Sequence, residues 1–261
     1  MQGMAGERAK DKRGDARPRG GTALHLARDI AQEIYDSGMK PGDRYRSEAE
    51  ALALHGVSRG ALREALRFLQ IQGVIKIKSG PGGGTYVGKP NWEELASTLA
   101  LVLQFSGATV DSLMIARAAM EPGMIALAAR NATADDCDRM AQAITDMDAA
   151  VGDYSTYYRA YSRFWNAVAD ATRNPLIEML APALRRLTRS GGMVPAEPFR
   201  VLALQRARKV FDAVRARDAE EARRAMSGLV DGYLADMRQL FPSEVARTVS
   251  FADFDPDLDP L

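Results

Sequence analysis

SEAEALALHGVSRGALREALR, residues 47–67, is the stretch on which the reading of the whole chain turns. Ser47 is placed to cap a short helix, and Glu50, three residues on, can answer it from the first turn. Gly56 interrupts that helix, Val57 buries in the turn, and Ser58 caps a second, longer helix. On the second helix Arg59, Arg63 and Arg67 recur at i, i+4 and i+8, so they share one face. Leu62, Leu66 and Leu69 share the opposite face. Two helices joined by a tight turn, the second bearing arginines and pinned from behind, is what a major-groove reader needs. The arginine spacing taken alone suits a solvated amphipathic helix equally well.

Working outward, Leu26, Ile30 and Ile34 repeat at helical spacing upstream, and Gly38 with Pro41-Gly42 ends that helix. Downstream, VIKIK (74–78) alternates as a strand does, GPGGG (80–84) must turn, and TYV returns. From residue 91 the pattern becomes helical, with spans expected near 92–106, 109–131, 133–150, 153–172, 175–190, 198–217 and 218–240. The fold class is therefore mostly α: an N-terminal winged helix-turn-helix and a C-terminal all-α bundle of six to seven helices. The expected divisions are a flexible arm at 1–20, the winged unit at 21–90, the helical effector-binding and dimerisation unit at 91–241, and an irregular acidic tail at 242–261. The Gly88-Lys89-Pro90 junction is expected to let one unit turn on the other.

Charge separates the same regions. Residues 1–90 carry 16 Lys+Arg against 10 Asp+Glu, and residues 91–261 carry 19 against 24. A basic segment beside an acidic one points to a polyanion partner for the first alone. Apolar residues make up 46% of the chain, against wholesale disorder. No apolar run approaches the ~18 residues of a membrane span, and no signal-peptide pattern opens the sequence, so no membrane partner and a cytoplasmic location are expected. The single cysteine, Cys137, forms no internal disulfide and fits that compartment.

The stretch KPGDRYRSEAEALALHGVSRGALREALRFLQIQGVI, residues 40–75, resembles the signature of the GntR regulators. There, P-G-(D/E)-x-L-P-S-E precedes an L-A-x-x-x-G-V-S-R-x-x-V-R-E-A-L run and a glycine-containing wing. The resemblance covers about 65 residues with the wing, and it implies a sequence-specific DNA-binding transcriptional regulator, not an enzyme. It carries Ser58, Arg59 and Arg63 over as DNA contacts, with Ser47 and Arg67 beside them and Gly80 approaching the duplex from the wing. Two positions depart from the pattern. Ala49 stands where an arginine is usual, and Arg46 replaces a proline, where it can serve as a substitute contact. Glu64 reads as a structural partner of the neighbouring arginines.

The helical half resembles the effector domain of the FadR subgroup. Arg117 and Glu121 form its R-x-x-x-E, followed by ALAAR (126–130), FWNAVADATRNP (164–175) and FDAVRARDAEEA (211–222). Most members of that subgroup hold a divalent metal on one aspartate and three histidines. Here those positions fall on Tyr161, Trp165, Ala207 and Leu229, and the chain's two histidines, His25 and His55, lie in the other half. No metal and no cofactor are therefore expected. Tyr154, Tyr158, Tyr161 and Trp165 put an aromatic face in its place, either as plain core or as the wall of a more apolar pocket. The expected effector site comprises Arg117, Tyr158, Tyr161, Trp165, Ala207 and Leu229. Arg117 would meet an acyl-CoA or a hydrophobic carboxylate, unless Glu121 already neutralises it. The expected partners are a palindromic double-stranded operator, a small-molecule effector and a second copy of the chain. A ligand-independent architectural dimer is the competing reading, and an enzyme finds no support because no catalytic base or paired carboxylates stand out in the helical half.

Overall fold

The computed structural model describes residues 19–189 and 194–253, which divide into two compact units, 1–90 and 91–261. The proposed arm, apart from its last two residues, lies outside the described residues, as do residues 190–193 and the end of the tail.

In the first unit α1 runs Arg19–Asp36, α2 Glu48–His55 and α3 Arg59–Ile71. The serines do what their positions imply. Ser47 Oγ accepts from the Glu50 amide, while Glu50 Oε2 accepts from the Ser47 amide at 2.8 Å, a complete capping box. Ser58 Oγ accepts from the Ala61 amide at 3.3 Å. Gly56 ends α2 in the left-handed region, φ 61°, where a side chain is strained. β1 (Ile75–Lys78) and β2 (Gly84–Val87) pair antiparallel, Ile75 opposite Val87. Tyr45 extends the pair by donating its amide to the Thr85 carbonyl at 2.9 Å. Leu26, Ile30, Ile34, Leu62, Leu66, Leu69, Ile75 and Val87 form one core under these elements.

Gly88 corrects the hinge expectation. Its amide donates to the Val74 carbonyl at 2.8 Å, and an added Cβ would stand 2.1 Å from the Gly73 carbonyl oxygen. It is a closely packed base of the wing, so of the expected hinge only Lys89-Pro90 is left without this constraint.

The second unit contains α4 (Trp92–Phe105), α5 (Val110–Asn131), α6 (Ala134–Ala149), α7 (Tyr154–Ala171), α8 (Pro175–Arg189), α9 (Glu197–Arg215) and α10 (Ala219–Leu240). Asn91, Thr109 and Thr133 open α4, α5 and α6 with capping boxes. α5 is central and packs against α7, α8, α9 and α10. Fully buried alanines at 128, 160, 207 and 222 let the helices approach, and Phe164, Met140, Met147 and Met226 fill the space between. α5 alone has the length and mean hydropathy, 1.2, to cross a membrane among the described residues. Its buried Arg117–Glu121 pair and its place in the bundle mark it as a core helix instead.

The tail is not irregular from residue 242. Pro242 starts a short helix, α11 (Pro242–Ala246), because a proline in the first helical turn loses no needed donor. The chain then bridges back to the start of α5: the Val110 amide donates to the Arg247 carbonyl at 3.0 Å and the Val249 amide to the Ala108 carbonyl at 2.9 Å. Val249 is fully buried beside Ala100 and Leu187.

Candidate nucleic-acid interface and effector cavity

The α3 face separates cleanly. Leu62, Ala65, Leu66 and Leu69 are buried, while Arg59, Arg63 and Arg67 are exposed. At 1.5 Å per residue the row spans about 12 Å along the helix, within the length a helix can lay into a major groove. Arg63 has one ion pair, to Glu48 at 3.5 Å, with its own side chain 72% exposed. Such a surface pair is weak and yields readily to a phosphate or base. Glu64 is exposed and forms no ion pair among the described residues, so it is not the arginine partner expected from sequence.

The residues before α3 are more committed. Arg46 gives Nε to Glu33 Oε1 of α1 at 2.5 Å, and the Tyr45 hydroxyl donates to Glu33 Oε2 at 2.8 Å. His55 Nε2 lies 3.4 Å from the same carboxylate oxygen. Burial pushes the Glu33 carboxyl up, but the Tyr45 and Arg46 hydrogen bonds outweigh it and hold it below its ordinary range. Arg46 is thus already held by Glu33, though its side chain is 45% exposed, so a DNA contact in place of the missing arginine at position 49 would have to break this pair. Ser47 is likewise occupied by its capping box. This network was not visible in sequence, because Glu33 and Arg46 meet across 13 residues.

At the wing, Gly80 is exposed with φ 87°, and a Cβ there would meet no atom within 4 Å. Glycine is required at this position by backbone conformation, and the tip stands open. Lys78 covers the Tyr86 ring at 4.6 Å, and the Tyr86 hydroxyl donates to the Gly82 carbonyl at 2.7 Å, so the turn is braced.

In the helical unit a cavity of about 140 Å³ opens between α5, α7, α8, α9 and α10. Arg117, Tyr158, Tyr161 and Leu229 line it, four of the six residues expected there. Ala207 is fully buried in the core and Trp165 is 2% exposed, its ring edge-on to Phe164 at 4.9 Å. Neither lines this cavity. The indole is turned into the bundle, with Nε1 making no hydrogen bond to described atoms. Tyr158 lies between Tyr154 and Tyr161, 6.0 Å from each, tilted against the first and stacked on the second, and the three form one side of the cavity. Arg189 covers the Tyr158 ring at 3.5 Å and donates to the Tyr154 hydroxyl at 3.0 Å. Opposite, Phe199 and Phe241 stand 5.9 Å apart.

Arg117 is not an open anchor. It gives Nε and Nη2 to Glu121 Oε1 and Oε2 at 2.8 and 3.3 Å, and Nη1 to Thr188 Oγ1 at 2.9 Å. Burial lowers the guanidinium's affinity for its proton, but the Glu121 carboxylate outweighs it and the net shift is upward. The cavity also takes in arginines that sequence reasoning missed, among them Arg185 and Arg206. The run RRLTR at 185–189, on a helix whose Leu184 and Leu187 are buried, was the available signal.

The four positions at which the FadR subgroup ligates metal do not fit an ion. Tyr161 is a phenol whose pKa is pushed up to about 12, first by burial and further by Tyr233, with Arg117 opposing. Trp165, Ala207 and Leu229 offer no ligand atom. Among the described residues no group of three His, Cys, Asp or Glu is placed to hold a metal.

Residues 112–232 match the FCD domain family, which places the helical unit in the FCD class of domains. Beyond that domain, more than half of the chain is similar to transcriptional regulators. It is 31% identical over 147 residues to the HTH-type transcriptional regulator LutR of Bacillus subtilis, a match covering 56% of this chain and 66% of that protein. It is 27% identical over 203 residues to the galactonate operon transcriptional repressor of Escherichia coli, covering 75% and 88% respectively. A solved structure, Streptococcus agalactiae GntR, shares the fold with a TM-score of 0.63 at 20% identity, over 82% of this chain and 99% of that one. These comparisons support a GntR-family regulator with an FCD domain, and its relatives are regulators of transcription, not enzymes.

Proposed function

We propose that this protein is a DNA-binding transcriptional regulator that grips a palindromic operator as a homodimer and changes its operator affinity when a small organic acid enters the cavity. The exposed Arg59-Arg63-Arg67 row, on a helix whose other side is fixed in a core, carries this reading. One such helix reads too few base pairs to be selective in a genome, and two symmetric half-sites are the usual remedy. The similar proteins are regulators of transcription, one of them the repressor of a galactonate operon, which supports an intracellular regulator and an acidic effector.

Cavity size narrows the effector. A void of about 150 Å³ holds a benzene ring, and the 140 Å³ here is of that order. An acyl-CoA would leave most of its length outside, so a compact carboxylate is favoured over the thioester. The metal-binding chemistry of the FadR subgroup takes no part. The test is selection of bound duplexes from a random library, followed by footprinting and mass measurement of the complex. A two-fold symmetric site holding two chains is expected. A selection that yields no sequence preference favours the architectural reading.

A further inference from the structure

The cavity arginines differ in what already neutralises them. Arg117 is matched by Glu121, and Arg206 gives both terminal nitrogens to Asp236 at 3.2 Å. Arg200 is held by the carbonyls of Val151, Gly152 and Pro195. Arg185 has no carboxylate within ion-pair distance among the described residues. Its one hydrogen bond runs from Nη2 to Asn166 Oδ1 at 3.3 Å, and its guanidinium lies 5.9 Å from the Trp165 ring centroid.

Arg185 is half-buried in the cavity wall, and its guanidinium has one long hydrogen bond to a neutral acceptor and no carboxylate partner among the described residues, so most of its donors are left for an anion in the cavity. Burial depresses its pKa, with nearby Arg117 adding to the effect and Glu121 opposing it. The side chain faces the same cavity as Tyr158 and Tyr161, whose ring centroids stand 6.0 Å apart, with Arg189 over the Tyr158 ring. An aromatic lining, a volume near that of a single ring and one under-compensated cation define a ligand shape.

We infer that Arg185 receives the carboxylate of the effector, and that the effector is a compact monocarboxylate built on one ring, an assignment that rests on the effector cavity of the preceding section. The carboxylate pairs with the Arg185 guanidinium while the ring packs among the aromatic side chains that line the cavity. Arg117 then serves as a fixed, charge-balanced wall and not as the anchor.

Calorimetric titration of the full chain with benzoate, benzamide, galactonate and citrate tests this. Benzoate is expected to bind the parent, and benzamide, the same shape without the charge, at least about tenfold more weakly. Arg185→Met should weaken benzoate binding by roughly 10- to 100-fold, the range of a hydrogen-bonded ion pair. It should leave benzamide binding as in the parent, with Arg185→Lys recovering part of the benzoate affinity. Equal benzoate binding by parent and Arg185→Met overturns the assignment, as does galactonate or citrate binding more tightly than benzoate. If Arg185→Met does not fold, the parent's benzoate and benzamide affinities decide alone, and equality or absence of benzoate binding refutes the proposal. Operator binding measured on the same samples separates the two readings. An operator response to an acid that does not need Arg185 sinks this assignment alone. Failure to bind any operator sinks the regulatory reading and leaves the Arg185 dependence standing.

Discussion

The arginines of α3 and those of the helical bundle are the same residue in opposite surroundings. On α3, Arg59, Arg63 and Arg67 stand in solvent, and Arg63 has only a loose partner at 3.5 Å. In the bundle, Arg117 is 7% exposed and clasped by both oxygens of Glu121. The difference teaches that position in a motif does not settle what an arginine does; its counter-charge does. A loosely paired arginine is available to a polyanion at little cost, whereas a buried matched pair is part of the scaffold. Arg46 makes the point within the first unit, because Glu33 holds it although its place beside Ser47 suggested a substitute DNA contact.

The largest expected effect comes from breaking the matched pair. Glu121→Gln strands the buried Arg117 charge and should cost about 3–5 kcal/mol in denaturant unfolding of the helical unit. The double change Arg117→Met, Glu121→Leu should cost far less, because it removes both charges together. A single variant as stable as the parent would mean that Arg117 finds another counter-charge, and the contrast with α3 would weaken.

Gly88→Ala should destabilise the winged unit by about 1–3 kcal/mol, as overpacking does, since the new Cβ would overlap the Gly73 carbonyl. Unchanged thermal unfolding of that unit would restore Gly88 as a free hinge.

A smaller effect sharpens the comparison through pH. Asp136 is buried and accepts from Thr133, Arg139 at 2.6 Å and Arg173 at 2.5 Å. Burial pushes its carboxyl up, but these donors outweigh it and the net shift is downward. A depressed carboxyl contributes stability that is present above the unfolded value of about 3.9 and is lost as pH falls through the folded one. Asp136→Asn should therefore be less stable than the parent by a constant margin above about pH 5, with the margin closing as pH falls below 4. Urea unfolding at a series of pH values reads this directly. A margin independent of pH would show that the carboxylate charge does not contribute.

Much of the fold could be read from sequence, and the reasons are local. Seven helical spans from 92 to 240 ended where glycine, proline or a capping residue ended them, and Ser47 with Glu50 closed the box their spacing implied. What escaped was long-range. The tail docks because Val249 finds a pocket beside Leu187 and because backbone groups near 109 and 248 pair, and neither is encoded in the tail's own Asp-Pro pattern. At the cavity, the aromatic face of α7 was legible, but which rings turn inward was not. Tyr161 and Trp165 are four residues apart and share a helix face, yet packing against Phe164 takes the larger ring into the core. The cavity's other wall, with Arg185, is supplied by a different helix and required the structure.

Operator affinity at matched salt measures the central contrast most directly. Arg59→Ala should lose about 1–3 kcal/mol of binding to the selected operator, as loss of one base-reading arginine does, while Arg185→Met binds as the parent does without effector. Parent-like operator binding by Arg59→Ala, or loss of operator binding by a folded Arg185→Met, would contradict the assignment of DNA to the α3 arginines and of the ligand to Arg185.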